Sequence, residues 1–200
     1  MARRRALGMY EPEKTRKVKE VLKEGMTFLD AGAHQGYYSL IAAKLGAKTY
    51  AIEPEPYNCE ILRRNAQANN VGVEILPIAL SNKEGEMKLY KGKKSGHFSL
   101  TYNRGHGGIM VKVKRLDAVG IKPDAVKIDV EGHEVEVLEG AAEALEGIKH
   151  LFLDIHFDVD RKKLFGLLKD FQIYDLKIGK AITHEEAEKS SRGEIYACKQ

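Results

Sequence analysis

One short segment limits most strongly what this chain can fold into. Residues 27–36 read T-F-L-D-A-G-A-H-Q-G: an apolar run ends at Asp30, and Gly32 and Gly36 precede a helical pattern over 37–45. A strand, a glycine turn and a helix start bring the backbone close to a nucleoside ligand. The spacing D-x-G-x-x-x-G lacks the middle glycine of turns that bind a pyrophosphate. We therefore expect a nucleoside without phosphate, S-adenosylmethionine (SAM), although an ordinary tight turn is the alternative.

A second acidic residue supports this interpretation. Glu53 ends the next apolar run, residues 49–52, and lies 23 positions after Asp30. A carboxylate at this place can accept hydrogen bonds from both hydroxyls of a ribose. The combination of Asp30, the two glycines and Glu53 predicts a SAM-dependent methyltransferase.

The composition is that of one globular domain. Of 200 residues, 43% are hydrophobic and 31% charged, and we expect a single domain over 1–200 with a basic helical extension at 1–26. No apolar run approaches the roughly 20 residues that cross a bilayer, and no secretory signal is present. Cys59 and Cys198 are isolated, which favours a cytoplasmic protein without a membrane partner. Many charges of both signs and no Trp are compatible with a thermophilic source.

Strand patterns alternate with helical ones along most of the chain. This order predicts an α/β fold with a mostly parallel, doubly wound sheet and a closing strand that is antiparallel. Strands are expected at 27–30, 49–53, 73–79, 87–91, 110–115, 125–129, 150–155 and 195–198, and helices at 11–24 (on the surface), 37–45, 55–69, 135–145 and 161–171.

Ligands of such sheets bind beyond the carboxyl ends of the strands. We therefore expect Asp30, Glu53, residues 79–81, Asp129 and residues 154–157 to meet at one crevice. Five strand ends that carry polar or turn residues indicate a ligand site more strongly than any single one of them does.

The segment 127–134, K-I-D-V-E-G-H-E, follows the fourth core strand. Alternation would point Asp129 and Glu131 the same way, so that one holds the methionine ammonium of SAM and the other orients the acceptor. Lys127 can pair with either carboxylate or anchor the acceptor. The alternative is a solvated acidic turn at the start of the next helix.

Five motifs together resemble the FkbM family of SAM-dependent methyltransferases. They are D-A-G-A-H-Q-G-Y-Y-S at 30–39, I-E-P at 52–54, A-L-S-N at 79–82, R-L-D at 115–117 and V-K-I-D-V-E-G-H-E-V-E-V-L-E-G-A at 126–141. The resemblance implies a Rossmann-like class I methyltransferase fold with SAM at the glycine turn. The family is best known for O-methylation of small molecules and sugars, and its members are diverse.

The resemblance also implies roles for single residues. Gly32 and Gly36 would line the methionine part, Glu53 the ribose and residues 79–81 the adenine, while Asp129 faces the methyl-transfer site together with Glu131. The complete set of predicted cofactor-binding residues is Asp30, Gly32, His34, Gly36, Glu53, Pro54, Ala79, Leu80, Ser81 and Asp129.

The acceptor is expected to be large. Little of the chain lies outside the core fold, so the site should be open, which favours a nucleotide of structured RNA, such as ribosomal RNA. Cations bind phosphates and aromatic rings stack on unpaired bases. The candidate phosphate contacts are Arg3, Arg4, Arg5, Lys93, Lys94 and Arg104, with Phe98 and Tyr102 as stacking residues; the alternative is a solvated loop.

The segment 154–157, D-I-H-F, supplies the remaining candidate catalytic residues. With an RNA acceptor, Asp129, Glu131 or Asp154 would accept a hydrogen bond from the nucleotide, and Phe157 would stack on its base.

Two alternatives remain open. The first is O-methylation of a small hydroxylated molecule or sugar, with His156 as general base. The second is a non-catalytic module that binds RNA or a nucleotide. No metal is expected, and the set that could hold one is Asp129, Glu131 and His156.

Overall fold

The computed structural model describes residues 10–92, 98–103, 105–156, 158–190 and 193–199. The helices are α1 (Pro12–Val21), α2 (Tyr37–Lys44), α3 (Pro56–Ala68), α4 (Glu134–Glu139), α5 (Ala144–Gly147), α6 (Arg161–Leu167) and α7 (His184–Lys189). The strands are β1 (Thr27–Ala31), β2 (Lys48–Ile52), β3 (Glu74–Leu76), β4 (Ala79–Leu80), β5 (Gly85–Lys91), β6 (Phe98–Ser99), β7 (Gly108–Lys114), β8 (Ala125–Ile128), β9 (His150–Ile155), β10 (Gln172–Asp175), β11 (Lys180–Ile182) and β12 (Gly193–Cys198). None of these helices is both long and apolar enough to span a membrane.

Eight strands form the main sheet, in the order β11-β10-β12-β9-β8-β1-β2-β3. The strands from β9 to β3 run parallel, whereas β12 pairs antiparallel with β9, β10 with β12 and β11 with β10. The chain leaves β1 toward β2 and later returns to the other side of β1 with β8, so the strand order reverses between these two strands. Ligands of doubly wound sheets bind at such a reversal. The predicted fold class is confirmed, including its antiparallel closing strand.

Apolar side chains cover both faces of the central strands. Leu29, Val126 and Leu151 lie in the larger core, while Phe28 and Phe152 lie in a second core on the opposite face. Burial on both faces explains why β1 and β8 are mostly apolar in sequence and do not alternate apolar with polar residues.

A second, four-stranded sheet has the order β4-β7-β5-β6, and the sequence did not indicate it as a separate sheet. The strand predicted at 73–79 is wrong, because Pro77 separates β3 of the main sheet from β4 of the small one. Proline has no backbone N–H to continue a ladder. Phe98, which was expected in a loop as a stacking residue, begins β6 and packs against the core of the small sheet.

Two predicted helices differ from the structure. The surface helix expected at 11–24 is shorter and is not confined to the surface, because Lys14, Thr15 and Val18 of α1 are buried. The helix expected at 135–145 consists of two helices, α4 and α5. Strands β10 and β11 and helix α7 were not predicted.

A buried ion pair lies inside the main sheet, at the ends of its two central strands. Asp30 of β1 is directly opposite Lys127 of β8, and Lys127 Nζ lies 3.2 Å from Asp30 Oδ1. The other oxygen of Asp30 accepts hydrogen bonds from the backbone N–H (3.0 Å) and the hydroxyl (2.6 Å) of Ser39 in α2. Lys127 also donates to the carbonyl of Gly32, at 3.1 Å. The pair therefore ties together two strands, the glycine turn and the first helix that follows it.

We expect Lys127→Met to lower the free energy of unfolding by about 3–5 kcal/mol, because it leaves the buried charge of Asp30 without its partner. Lys149→Met is the matched control: its ammonium is exposed, 3.0 Å from Asp124, and its loss should cost less than about 1 kcal/mol. Urea unfolding measures both changes. A cost for Lys127→Met no larger than for the control would show that the pair does not hold the strands together.

Candidate active site

The glycine turn is packed against both neighbouring strands. Gly32 has a left-handed φ of 76°, and a side chain there would collide with the carbonyl oxygen of Asp129. The N–H groups of Gly32 and Ala33 both donate to the carbonyl of Ile52, at 3.0 and 3.1 Å. Gly36, with φ of 88°, begins α2, and a side chain there would meet Leu62 at 2.7 Å. Both predicted glycines are therefore required by close packing.

Glu53 lies beside this turn, at the end of β2. Its Oε2 accepts a hydrogen bond from the N–H of His34 at 2.7 Å, and its Oε1 accepts from the N–H of Glu55 at 2.9 Å and from Asn58 Nδ2 at 3.3 Å. Burial raises the pKa of Glu53, and these three donors oppose the rise. A carboxylate has about four acceptor sites, so capacity for a ribose hydroxyl remains. Pro54 follows, partly exposed.

Other predicted cofactor residues lie deeper. Asp30 is buried below the turn, and both of its oxygens face protein groups, so it supports the turn and does not line the crevice. Ala79 and Leu80 are buried in the two sheets' cores. The hydroxyl of Ser81 lies 3.0 Å from His133 Nε2. Contact between residues 79–81 and an adenine ring stays a prediction.

The acidic turn after β8 is held by the last residue of β6 and by the segment that follows it. Glu131 adopts a left-handed φ of 54°, which is strained for a residue with a side chain. The hydroxyl of Ser99 donates to the carbonyl of Glu131 at 2.7 Å, and the hydroxyl of Thr101 donates to the carbonyl of Gly132 at 3.2 Å. The small sheet therefore fixes the place of this turn.

His156 joins this turn from the end of β9. Its Nδ1 lies 2.8 Å from Glu134 Oε1, and its Nε2 lies 3.6 Å from Glu131 Oε2 and 4.0 Å from Asp129 Oδ1. Because a carboxylate only accepts, we assign the Nδ1 proton as donor to Glu134. Burial lowers the pKa of His156, but Glu134, followed by Asp129 and Glu131, outweighs it and raises the pKa to about 9.

Glu134 is a residue that sequence analysis missed. It is fully buried at the first position of α4, and its Oε1 also accepts a hydrogen bond from the N–H of Gly132 at 3.0 Å. In the sequence it looks like an acidic residue placed to favour a helix start. Only the return of β9 to this place gives it a histidine partner.

Asp129 and Asp154 lie between two buried lysines. Lys127 Nζ is 3.6 Å from Asp129, and Lys14 Nζ of α1 is 2.6 Å from Asp154. Burial raises the pKa of Asp129, but Lys127, Lys14 and His156 outweigh it, so the pKa lies below its usual range. Burial, and then the charge of Asp129, raise the pKa of Asp154 to about 7 although Lys14 opposes them.

Lys14 was also missed as a site residue. One signal was present, since Lys14, Val18 and Leu22 share the spacing of one helix face. That face is buried. A lysine on an otherwise apolar face indicates a buried acidic partner.

Four of the predicted site residues lie together in the structure: Asp129, Glu131, Asp154 and His156. Gly32 packs on the carbonyl of Asp129 and so connects this cluster to the turn beside Glu53. Phe157 and all six predicted phosphate-binding residues, Arg3, Arg4, Arg5, Lys93, Lys94 and Arg104, lie outside the described part of the chain.

The cluster can also hold a cation. Asp129, Glu131 and His156 each present one donor atom, and these atoms lie within 4.8 Å of one another. The proton on the His156 ring competes with any metal for this place. The absence of a metal cofactor stays a prediction.

Comparisons with known proteins identify the family. The sequence matches the FkbM methyltransferase domain over residues 30–178. The hexuronic acid methyltransferase AglP of Haloferax volcanii is 29% identical over 171 residues, which cover 82% of this chain and 70% of AglP.

Two solved structures share the fold. The FkbM methyltransferase of Methylobacillus flagellatus KT has a TM-score of 0.57 at 16% identity over 95% of this chain, which spans about half (51%) of that longer chain. Magnesium protoporphyrin IX methyltransferase of Synechocystis PCC 6803, solved with bound SAM, has a TM-score of 0.56 at 15% identity, and the match covers 94% of this chain and 81% of that one. The chain belongs to the FkbM family and is a SAM-dependent methyltransferase with a Rossmann-like class I fold.

Proposed function

We propose that this enzyme methylates a hydroxyl oxygen of a small hydroxylated acceptor, a sugar or sugar acid, with His156 as general base. The observation that carries the proposal is the position of the His156 ring, with one nitrogen on the buried Glu134 and the other directed at Asp129 and Glu131. Family membership excludes the non-catalytic alternative.

A hydroxyl is a poor nucleophile until it loses its proton, so this reaction needs a base. When bound, SAM would supply the methyl group from its sulfonium, so that the C–O bond would form as the S–C bond breaks and S-adenosylhomocysteine would leave. The proton of the hydroxyl passes to Nε2 of His156, because Nδ1 already carries the proton donated to Glu134. The carboxylate of Glu134 fixes the tautomer and stabilises the imidazolium that forms.

The raised pKa of His156 makes the ring a strong base that is mostly protonated at neutral pH. Positive charge that enters the crevice with the cofactor favours the neutral ring, because like charges repel. Cofactor binding and activation of the base are therefore coupled in this proposal.

Two observations support a sugar-like acceptor. The partly exposed carboxylate of Glu131 only accepts hydrogen bonds, which suits the hydroxyl groups of a sugar. AglP, which aligns with most of this chain, is named for a hexuronic acid. Structured RNA stays a competing prediction, because its candidate phosphate contacts lie outside the described residues.

The acceptor is identified by incubating the enzyme with methyl-labelled SAM and, in parallel, with free and nucleotide-linked hexuronic acids and with total RNA. We expect label in the sugar fraction as an alkali-stable methyl ether, in the presence of EDTA as well. Ribonuclease-sensitive label would support the RNA acceptor instead. An alkali-labile methyl ester would contradict the role of His156, because a carboxylate acceptor needs no base.

His156→Asn should lower kcat by roughly 10²–10⁴-fold, the usual contribution of a general base. His150→Asn is the matched control, because His150 lies at the opposite end of β9, 2.8 Å from the hydroxyl of Tyr196. Steady-state kinetics with the identified acceptor compares the two variants. Equal activity of His156→Asn and the control would contradict the role of His156 as general base.

The pH dependence tests the pair of His156 and Glu134. Activity should rise with pH as the His156 ring loses its proton, toward the pKa of about 9. Because Glu134 raises this pKa, Glu134→Gln should move the midpoint to lower pH by about one unit or more. Glu136→Gln on the same helix is the control, since Glu136 lies 3.5 Å from His133 instead. An unchanged midpoint in Glu134→Gln would show that His156 does not set this limb of the profile.

A further inference from the structure

We infer that helix α1 builds part of the cofactor site: Lys14 is a positioning residue that holds Asp154 beside Asp129, and these two carboxylates bind the α-ammonium group of SAM. The inference rests on SAM as the cofactor and does not depend on the acceptor proposed above. It gives a function to a helix that precedes the matched family domain, which begins at residue 30.

Lys14 is fully buried, which is rare for a lysine. Its ammonium donates to Asp154 at 2.6 Å and to Glu11 at 2.7 Å, and it lies 5.5 Å from the centre of the Tyr38 ring. Burying an ammonium costs several kcal/mol unless its partners are well placed, and an apolar residue often serves stability as well. A charge at this place is therefore better explained by what it does to Asp154 than by stability.

Asp154 and Asp129 are neighbours in the sheet. Ile128 is opposite Leu153, so Asp129 and Asp154 occupy the next register position at the carboxyl ends of β8 and β9. Their side chains remain 29% and 15% exposed, respectively, unlike that of Lys14. Two adjacent like charges repel, and the raised pKa of Asp154 reflects this repulsion after burial itself. Lys14 contacts both oxygens of Asp154, and so it orients this carboxylate and opposes the rise of its pKa.

The surrounding charges leave an excess of carboxylates. On this side of the sheet, the cations Lys14, Lys127 and His156 face six acidic groups, which are Glu11, Asp30, Asp129, Glu131, Glu134 and Asp154. The register partner of Asp154 on β12, Glu194, is acidic too. A cationic group that enters at Asp129 and Asp154 would reduce this excess.

The neighbouring turn indicates which cation this is. Gly32 packs directly on the carbonyl of Asp129, so a cofactor at the glycine turn lies next to this pair of carboxylates. SAM carries an α-ammonium on its methionine portion. An ammonium group is a donor of three hydrogen bonds, and carboxylates accept them.

Docking of α1 brings Lys14 to this position. Val18 and Leu22 are buried below the helix, and Glu11 accepts a hydrogen bond from the hydroxyl of Tyr38 at 2.8 Å. Glu11 also has a left-handed φ of 45°, which is strained for this residue type. The start of the helix is thus held by side-chain contacts to the cluster.

Calorimetric binding of two product-like ligands tests the inference without any acceptor. S-adenosylhomocysteine keeps the α-ammonium, whereas 5′-methylthioadenosine lacks the amino acid portion. We expect Lys14→Met and Asp154→Asn each to weaken S-adenosylhomocysteine about tenfold or more and to leave 5′-methylthioadenosine unchanged. Lys19→Met, an exposed position on the same helix, is the control and should change neither affinity.

A double variant separates positioning from direct contact. If Lys14 acts through Asp154, the variant with both substitutions binds S-adenosylhomocysteine no more weakly than Asp154→Asn alone. The inference is overturned if Asp154→Asn binds S-adenosylhomocysteine like the wild type, or if a folded Lys14→Met loses both ligands equally. Should Lys14→Met fail to fold, Asp154→Asn still decides between these outcomes. Failure here would leave the proposed acceptor and the role of His156 unaffected.

Discussion

The ion pair between Lys127 and Asp30 is the interaction on which the rest of the site depends. It lies where the strand order reverses, and its contacts to Ser39 and to the carbonyl of Gly32 fix the helix start and the turn between them. A buried pair of this kind contributes little net stability compared with apolar residues. Its effect is to place the glycine turn against Asp129, at the reversal of strand order where ligands of such sheets bind.

The residues of the candidate site come from parts of the chain that are far apart. Glu131 is held by Ser99, which lies in β6 of the small sheet. His156 is oriented by Glu134, the first residue of α4. Lys14 arrives from a helix before the first strand. Each of these contacts replaces freedom of a side chain by a hydrogen bond or ion pair, so that the site is organised before any ligand binds.

Much of the fold and part of the site follow from local patterns. Apolar runs that end in a polar residue predicted the central strands, and the glycines after Asp30 predicted the turn. Asp129, Glu131, Asp154 and His156 were predicted because strand ends in such sheets converge. Two features were not predicted: the break of residues 73–79 at Pro77, and the small sheet. A two-residue strand such as β4 forms because of its partner β7 and has no pattern of its own in the sequence.

Local patterns were enough to predict where the core strands lie along the chain, the glycine turn with Glu53 beside it, and the acidic turn after β8, because backbone restrictions and apolar periodicity act within a few residues. The packing of distant elements was needed to show that Asp30 binds Ser39 below the turn, that Glu134 orients His156, and that Lys14 pairs with Asp154. The two members of these pairs are 9, 22 and 140 positions apart in the chain, respectively. Charge interactions act through space, so their partners are set by which elements the fold packs together.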